Sequence, residues 1–311
     1  MDLNLKGDMM QQFMDELARL KKDRDAVILA HNYQRPEVQD AADFVGDSLE
    51  LSHKAAQVKA RVILFCGVHF MAETASILCP EKTVLVPDAN AGCPMANMVT
   101  VRELRHKKLQ HPNAVVVCYV NSSAAVKAES DICCTSANAV NVVDSIARDR
   151  EILFVPDCSL GGYAADICDR PIILWPGFCP THHRILANEI LRLKLAHPTA
   201  KVVVHPECTE DVISICDHVA STTGILRYCR ESAAAEFIVG TEIGILHKLQ
   251  KDSPQKKFHM LTALADCPNM KLNTLEKMVW ALEDMAPEVK VPDDVAALAR
   301  GAIDRMLAIP A

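Results

Sequence analysis

The chain has 311 residues, half of them hydrophobic, thirteen cysteines and a formal net charge of −7 at neutral pH. It is too long for one ordinary core, so two or three domains are expected. An acidic balance with no long basic run argues against nucleic acid as the main partner, and no stretch approaches the roughly 18 apolar residues of a membrane span.

The N-terminal stretch from Met9 to Leu20 is amphipathic and carries acids. It reads as a helix and not as a signal peptide, so a cytoplasmic chain is expected. In that setting the cysteines suggest metal binding or catalysis more than a disulfide framework. No pair has C-x-x-C spacing, which argues against a zinc ribbon and a thioredoxin-type site.

The first strand-like run is Ala26 to Tyr33, a continuous apolar stretch ending in His31-Asn32-Tyr33. Such a run suits a strand buried on both faces of a parallel sheet. A short strand then starts at Asp43 and ends in the hydroxyl of Ser48. Further strands are expected at Val62 to Cys66 and at Thr83 to Val86, the last running toward Gly92-Cys93-Pro94. A helix closes this set, with basic residues at Arg105 to Lys108 in its last turn.

The same series then repeats at offsets of 88 and 86 residues. Ala114 to Asn121 and Ala200 to Glu207 align with the first strand without gaps. His31, Tyr119 and His205 fall in one column, and Tyr33, Asn121 and Glu207 in another. Ser48, Ser136 and Thr222 fall in a third. Third strands are expected at Ile152 to Val155 and Phe237 to Val239, and fourth strands at Pro171 to Trp175 and Lys257 to Leu261. Each fourth strand leads to a Cys-Pro dipeptide, so Cys93, Cys179 and Cys267 stand 86 and 88 residues apart. The helix ends at Leu109-Gln110-His111-Pro112 and Leu195-Ala196-His197-Pro198 also match.

Alternating strands and helices give parallel βαβ units. The expectation is an α/β fold of three similar three-layer domains with parallel sheets, related by pseudo-threefold symmetry around a central cavity. The repeats are 1–110 with the N-terminal helix, 111–197, and 198–311 with the C-terminal helices. Ligands in such sheets sit beyond the carboxyl ends of the strands, so the polar strand ends would face that cavity.

Three thiolates meeting there would form a metal site with a vacancy. Thiolate-only ligation is soft and favours zinc or an iron–sulfur cluster. His182, three residues after Cys179, is either a fourth ligand or a substrate contact. Cys79-Pro80 lies off the repeat and is read as packing, and the other nine cysteines are left as buried small residues. His31, Tyr33, Tyr119, Asn121, His205 and Glu207 supply acid–base and hydrogen-bonding groups. Ser48, Ser136 and Thr222 are placed to start helices, where hydroxyl and N–H groups hold carboxylate or phosphate or simply cap the helix. Gly161-Gly162-Tyr163 is read as a mobile loop. At this level an electron-transfer iron–sulfur protein and a zinc-binding structural protein stay open as alternatives.

Seven motifs carry a resemblance. His31-Asn32-Tyr33, Gly46-Asp47-Ser48, Gly92-Cys93-Pro94-Met95-Ala96, Tyr119-Val120-Asn121, His205-Pro206-Glu207-Cys208, Ser221-Thr222-Thr223-Gly224 and the run Cys267 to Thr274 are similar to those of the quinolinate synthase family. The resemblance spans about residues 26 to 285. It implies a transferase-type condensing enzyme of de novo NAD biosynthesis, built from three similar α/β domains. The implied reaction joins iminoaspartate to dihydroxyacetone phosphate and releases quinolinate, phosphate and two waters. The implied cofactor is a 4Fe–4S cluster on Cys93, Cys179 and Cys267, with one open iron acting as Lewis acid. Implied substrate contacts are His31, Ser48, Tyr119, Asn121, Ser136, His205, Glu207 and Thr222. Tyr33, His205 and Glu207 form the implied catalytic set, with Tyr33 and Glu207 at the positions assigned proton transfers. The implied partners are the two small substrates and L-aspartate oxidase as the source of the imine. Longer members of the family carry a C-terminal C-x-x-C pair linked to redox control, which this chain lacks.

Overall fold

The computed structural model describes the backbone of residues 3–311 and the side chains of residues 7–311. Twelve strands among them are β1 Ala26–His31, β2 Phe44–Gly46, β3 Val62–Cys66, β4 Thr83–Leu85, β5 Val115–Tyr119, β6 Ile132–Cys134, β7 Ile152–Val155, β8 Ile173–Leu174, β9 Lys201–Val204, β10 His218–Val219, β11 Glu236–Gly240 and β12 Lys257–Met260. They form three four-stranded parallel sheets with one shared order: β2-β1-β3-β4, β6-β5-β7-β8 and β10-β9-β11-β12. Helices alternate with the strands, giving three similar α/β repeats as the register predicts.

The central strands form on continuous apolar runs, not alternating ones. Val62 to Cys66 and Ile152 to Val155 are buried throughout. Continuous burial of this kind requires cover on both faces of the sheet.

One aspartate per repeat pins the edge strand. Asp43, Asp131 and Asp217 each donate a backbone N–H to the first strand of their sheet, at the carbonyls of Ile28, Val116 and Val202. Their carboxylates accept from the N–H groups of those same residues at 2.8, 2.7 and 2.8 Å. One cation per repeat closes a helix end. Lys82, Arg170 and Lys256 stand 88 and 86 residues apart. Lys82 donates to the Ala60 carbonyl at 3.0 Å, and Lys256 to that of Ser232 at 2.7 Å. Arg170 donates to four carbonyls, those of Val143, Ile146, Ala147 and Arg150, at 2.7–3.2 Å. The carbonyls at a helix C-terminus lack intrahelical partners and carry partial negative charge, which a cation satisfies.

The chain divides into two compact units. The first holds residues 1–93 and 268–292, and the second holds residues 94–267 and 293–311. The first unit contains the first sheet. Its core joins Ile28, Ala30, Leu64 and Leu85 to Leu17 and Leu20 of the helix Leu3–Arg24 and to Met278 and Leu282 of the helix Leu275–Asp284. The second unit contains the other two sheets. Val202, Val204 and Ile238 build one of its cores with Ile185 and Ile190.

Two of the three junctions between the units fall at a Cys-Pro bond, Cys93-Pro94 and Cys267-Pro268, and the third at Pro292-Asp293. The helix after each of the three cysteines packs on elements of the next repeat in the series. Val101–Gln110 packs on Ala124–Ala128, and Arg105 and Lys108 both reach Glu129. Ala187–Ala196 packs on Glu210–Ile213 and β11, and Leu275–Asp284 packs on the first unit's helices and β3. A first repeat ending at residue 110 counts Val101–Gln110 with the first sheet, whereas its packing lies in the second unit. The closing helix Asp293–Leu307 covers β6, and Asn138 holds its end through the carbonyls of Met306 and Ile309.

One expectation is corrected. Gly161-Gly162-Tyr163 is not a loop but lies within the helix Cys158–Cys168. A Cβ at Gly161 would stand 2.6 Å from Leu174 and 2.8 Å from Phe154. Glycine is there to let the helix approach the sheet, not to supply a turn.

Candidate active site

His31, Tyr33, Tyr119, Asn121, His205 and Glu207 lie at the carboxyl ends of the first strand of each sheet. In the second unit, Tyr119 ends β5, Asn121 follows it, and His205 and Glu207 follow β9. The structure joins them. Glu207 Oε1 accepts from the Tyr119 hydroxyl and, at 3.5 Å, from Asn121 Nδ2. Glu207 Oε2 lies 2.7 Å from His182 Nδ1. That same nitrogen is 3.1 Å from Cys179 Sγ, while His182 Nε2 meets the Thr241 hydroxyl at 2.9 Å. The His182 and His205 rings stack with centroids 4.7 Å apart, and His205 Nε2 meets the Ser136 hydroxyl at 3.1 Å. Glu207 N donates back to His205 Nδ1 at 3.3 Å, which orients the ring.

This network is buried. Tyr119, His182, His205 and Glu207 are each less than 5% exposed. Burial would raise the Glu207 carboxyl, but the charges of His182 and His205 and the hydrogen bonds from His182 and Tyr119 outweigh it. The carboxyl is therefore held below the ordinary carboxylate range and is ionised. Asn121 Oδ1 is buried with no hydrogen-bond partner among the described residues. An orphaned acceptor of this kind is suited to a ligand donor.

In the first unit, His31 ends β1 and Tyr33 follows it, and both are buried. Their rings meet edge to face at 4.6 Å, and Tyr33 N donates to His31 Nδ1 at 3.2 Å. This repeats the His205–Glu207 arrangement. The Tyr33 carbonyl accepts from Lys271. Asn273 donates to the Gly67 carbonyl at 2.9 Å, and Asn269 to that of Gly92 at 2.8 Å. The motif after Cys267 thus fastens the strand-end loops of the first sheet.

Ser48 and Thr222 are the first residues of ten-residue helices, as placed. They are not the caps. Asp47 and Ser221 take that duty, Asp47 through a capping box with Glu50. Ser136 sits two residues before Asn138, which precedes the helix Ala139–Ser145.

The three cysteines share one support. Two residues before each stands a carbonyl, that of Ala91, Gly177 or Ala265. It accepts from the backbone N–H of His69, Cys158 or Ile243, at 2.7, 2.8 and 3.0 Å. Each donor lies three residues beyond its sheet's third strand. Each cysteine is half-buried and precedes a short 3-10 turn. Cys179, His182 and Glu207 bring donor atoms within 4.8 Å of one another, a group able to hold a metal ion. Cys79 packs as expected, buried with its thiol on the Ala55 carbonyl. Burial also pushes the Cys229 thiol up to about 12, in keeping with an inert packing role.

Two buried acids went unread. Asp157 and Glu242 stand at one register position, two residues past β7 and β11. Glu242 accepts from Cys267 N at 3.1 Å and Gly244 N at 2.7 Å. Asp157 accepts from Ser159 N and Leu160 N, and burial with the nearby Glu207 charge pushes its carboxyl well above the ordinary value. Their matching offset past the third strand was the available signal.

The family model described as "Quinolinate synthetase A protein" matches residues 15–308. A quinolinate synthase of Methanosarcina barkeri is 55% identical over 298 residues, covering 96% of this chain and 98% of the relative. Those of Methanoregula boonei and Geobacter metallireducens are each 56% identical over 295 residues, covering 95% of this chain and 97% of the relative. With the motifs, the three like sheets and these matches over nearly its whole length, the chain belongs to the quinolinate synthetase A family.

Proposed function

We propose that this chain is a quinolinate synthase of de novo NAD biosynthesis, acting in the cytoplasm. It condenses iminoaspartate with dihydroxyacetone phosphate and releases quinolinate, phosphate and two waters. The observation that carries the reading is the buried network of Tyr119, Asn121, Ser136, His182, His205 and Glu207 beside Cys179. An electron-transfer protein or a structural zinc protein has no use for such a set.

Cys93, Cys179 and Cys267 fit a thiolate-held cluster. They are half-buried thiols on three loops tied by one equivalent backbone bond. When bound on three thiolates, a 4Fe–4S cluster leaves one iron without a protein ligand and supplies Lewis acidity. Within this reading the chain forms three repeats, near 1–110, 111–197 and 198–311.

The protein groups do the rest. Glu207, ionised although buried, takes a proton at its carboxylate, and Tyr119 and Asn121 hold that carboxylate in place. Tyr33 is the second proton-transfer group. His205, aligned by Ser136, and His31, aligned by its contact with Tyr33 N, bind substrate oxygens. Ser48 and Thr222, at the starts of ten-residue helices, add hydroxyl and N–H donors for carboxylate or phosphate. Holding both carbon skeletons together lowers the entropic cost of joining them. L-aspartate oxidase, which forms the unstable imine, is the partner this chemistry calls for.

The test is an anaerobic assay. Cluster-loaded protein given iminoaspartate and dihydroxyacetone phosphate should form quinolinate and phosphate in equal amounts. A loaded sample that forms neither would refute the function and leave the fold.

A further inference from the structure

A second group of metal-binding side chains lies at the other end of the third sheet. His197 follows the helix Ala187–Ala196, Glu236 opens β11, and His259 lies in β12. His197 Nδ1 is 3.1 Å and His259 Nε2 is 2.8 Å from the same oxygen, Glu236 Oε1. The two imidazoles stack with centroids 3.8 Å apart. All three side chains are between 20 and 30% exposed, so the group is reachable from solvent yet firmly packed. Glu236 stands at the amino end of β11 and His197 precedes β9, whereas His205 and Glu207 follow the carboxyl end of β9.

We propose that His197, Glu236 and His259 bind a divalent cation of the zinc class. Two imidazoles and a carboxylate select a borderline-soft ion over calcium or magnesium, which want more oxygen ligands. Bonds of about 2.0–2.2 Å in a tetrahedron place the donor atoms about 3.3 Å apart. The observed nitrogen–oxygen separations need to open by only a few tenths of an ångström. The fourth position is open to water. The group also joins three elements, so a bound ion ties the end of the helix to the adjacent strands β11 and β12. Its competitor is a proton: the same geometry serves two ring N–H groups sharing one carboxylate oxygen. The Glu236 carboxyl is held below its ordinary value, first by the hydrogen bond from His259 and against burial.

Cobalt(II) distinguishes the two, because cysteine thiols elsewhere in the chain also compete for metal and cobalt reports its ligands. Cobalt is titrated anaerobically into the cluster-loaded chain and into its His197→Asn/His259→Gln variant. The variant is expected to bind one cobalt fewer per chain. The lost absorption is expected to show ligand-field bands without sulfur-to-cobalt charge transfer, and quinolinate formation without added cobalt should be unchanged. Equal stoichiometry in the two proteins, or a lost band of thiolate character, overturns the site. A second readout needs no variant. Zinc should protect His197 and His259, but not the exposed His106, from carbethoxylation read by peptide mass spectrometry. Equal labelling of all three with and without zinc overturns it as well.

Discussion

Glu207 is the residue on which the proposed chemistry turns. A carboxylate this deeply buried is normally neutral. Here His182, His205 and Tyr119 outweigh the burial and keep it charged. Glu207→Gln preserves shape and removes the base. It should lower kcat for quinolinate by about 10²- to 10⁴-fold, with the iron content of the purified protein unchanged. A variant with full iron and full kcat would remove Glu207 from the mechanism. Asp217 tests a structural residue. Its carboxyl is partly buried, which would raise it, but Lys201 and the Val202 N–H hold it below the ordinary value. Its contribution to stability is therefore present above the unfolded value of about 4 and is lost as the pH falls through the lower folded value. Asp217→Asn should remove that part of the acid-side slope in urea unfolding measured from neutral pH downward. An unchanged slope would contradict the assignment.

At the scale of elements, the cation that closes a helix in each repeat is the main device. Arg170 is almost fully buried and serves four carbonyls. Arg170→Ala leaves buried acceptors unmet and should cost about 1–3 kcal/mol in denaturant unfolding. Arg170→Lys should recover part of that loss, and an alanine variant as stable as the parent would contradict the role. The sequence made the strands legible because β3 and β7 are unbroken apolar runs, each preceded by a charged residue and followed by Gly67 or Pro156. It also made the strand-end columns legible, since His31, Tyr119 and His205 close the apolar runs of β1, β5 and β9 in register. Lys82, Arg170 and Lys256 were not legible as clamps, because a cation between elements has no periodicity of its own. Gly161-Gly162 carries the composition of a turn, while the close approach of Leu174 and Phe154 that demands glycine is a tertiary fact. The caps fell one residue from Ser48 and Thr222 because Asp47 and Ser221 are equally able cap residues.

At the scale of the whole chain, one plan is executed three times. Strand order, the aspartate pin, the cation clamp and the tie on each cysteine loop all recur. The helix after each of Cys93, Cys179 and Cys267 packs on the next repeat, and Cys93 and Cys267 stand where the chain passes from one unit to the other. Asn269, two residues after Cys267, is bonded to the carbonyl of Gly92, the residue before Cys93. These features support three loops built alike for a single shared ligand. The direct measurement is iron and acid-labile sulfide per chain after oxygen-free purification of the parent and of Cys93→Ala, Cys179→Ala and Cys267→Ala. A cluster on three thiolates predicts about four of each in the parent and a marked loss in every variant. Full iron and sulfide in any one variant would contradict the three-thiolate cluster.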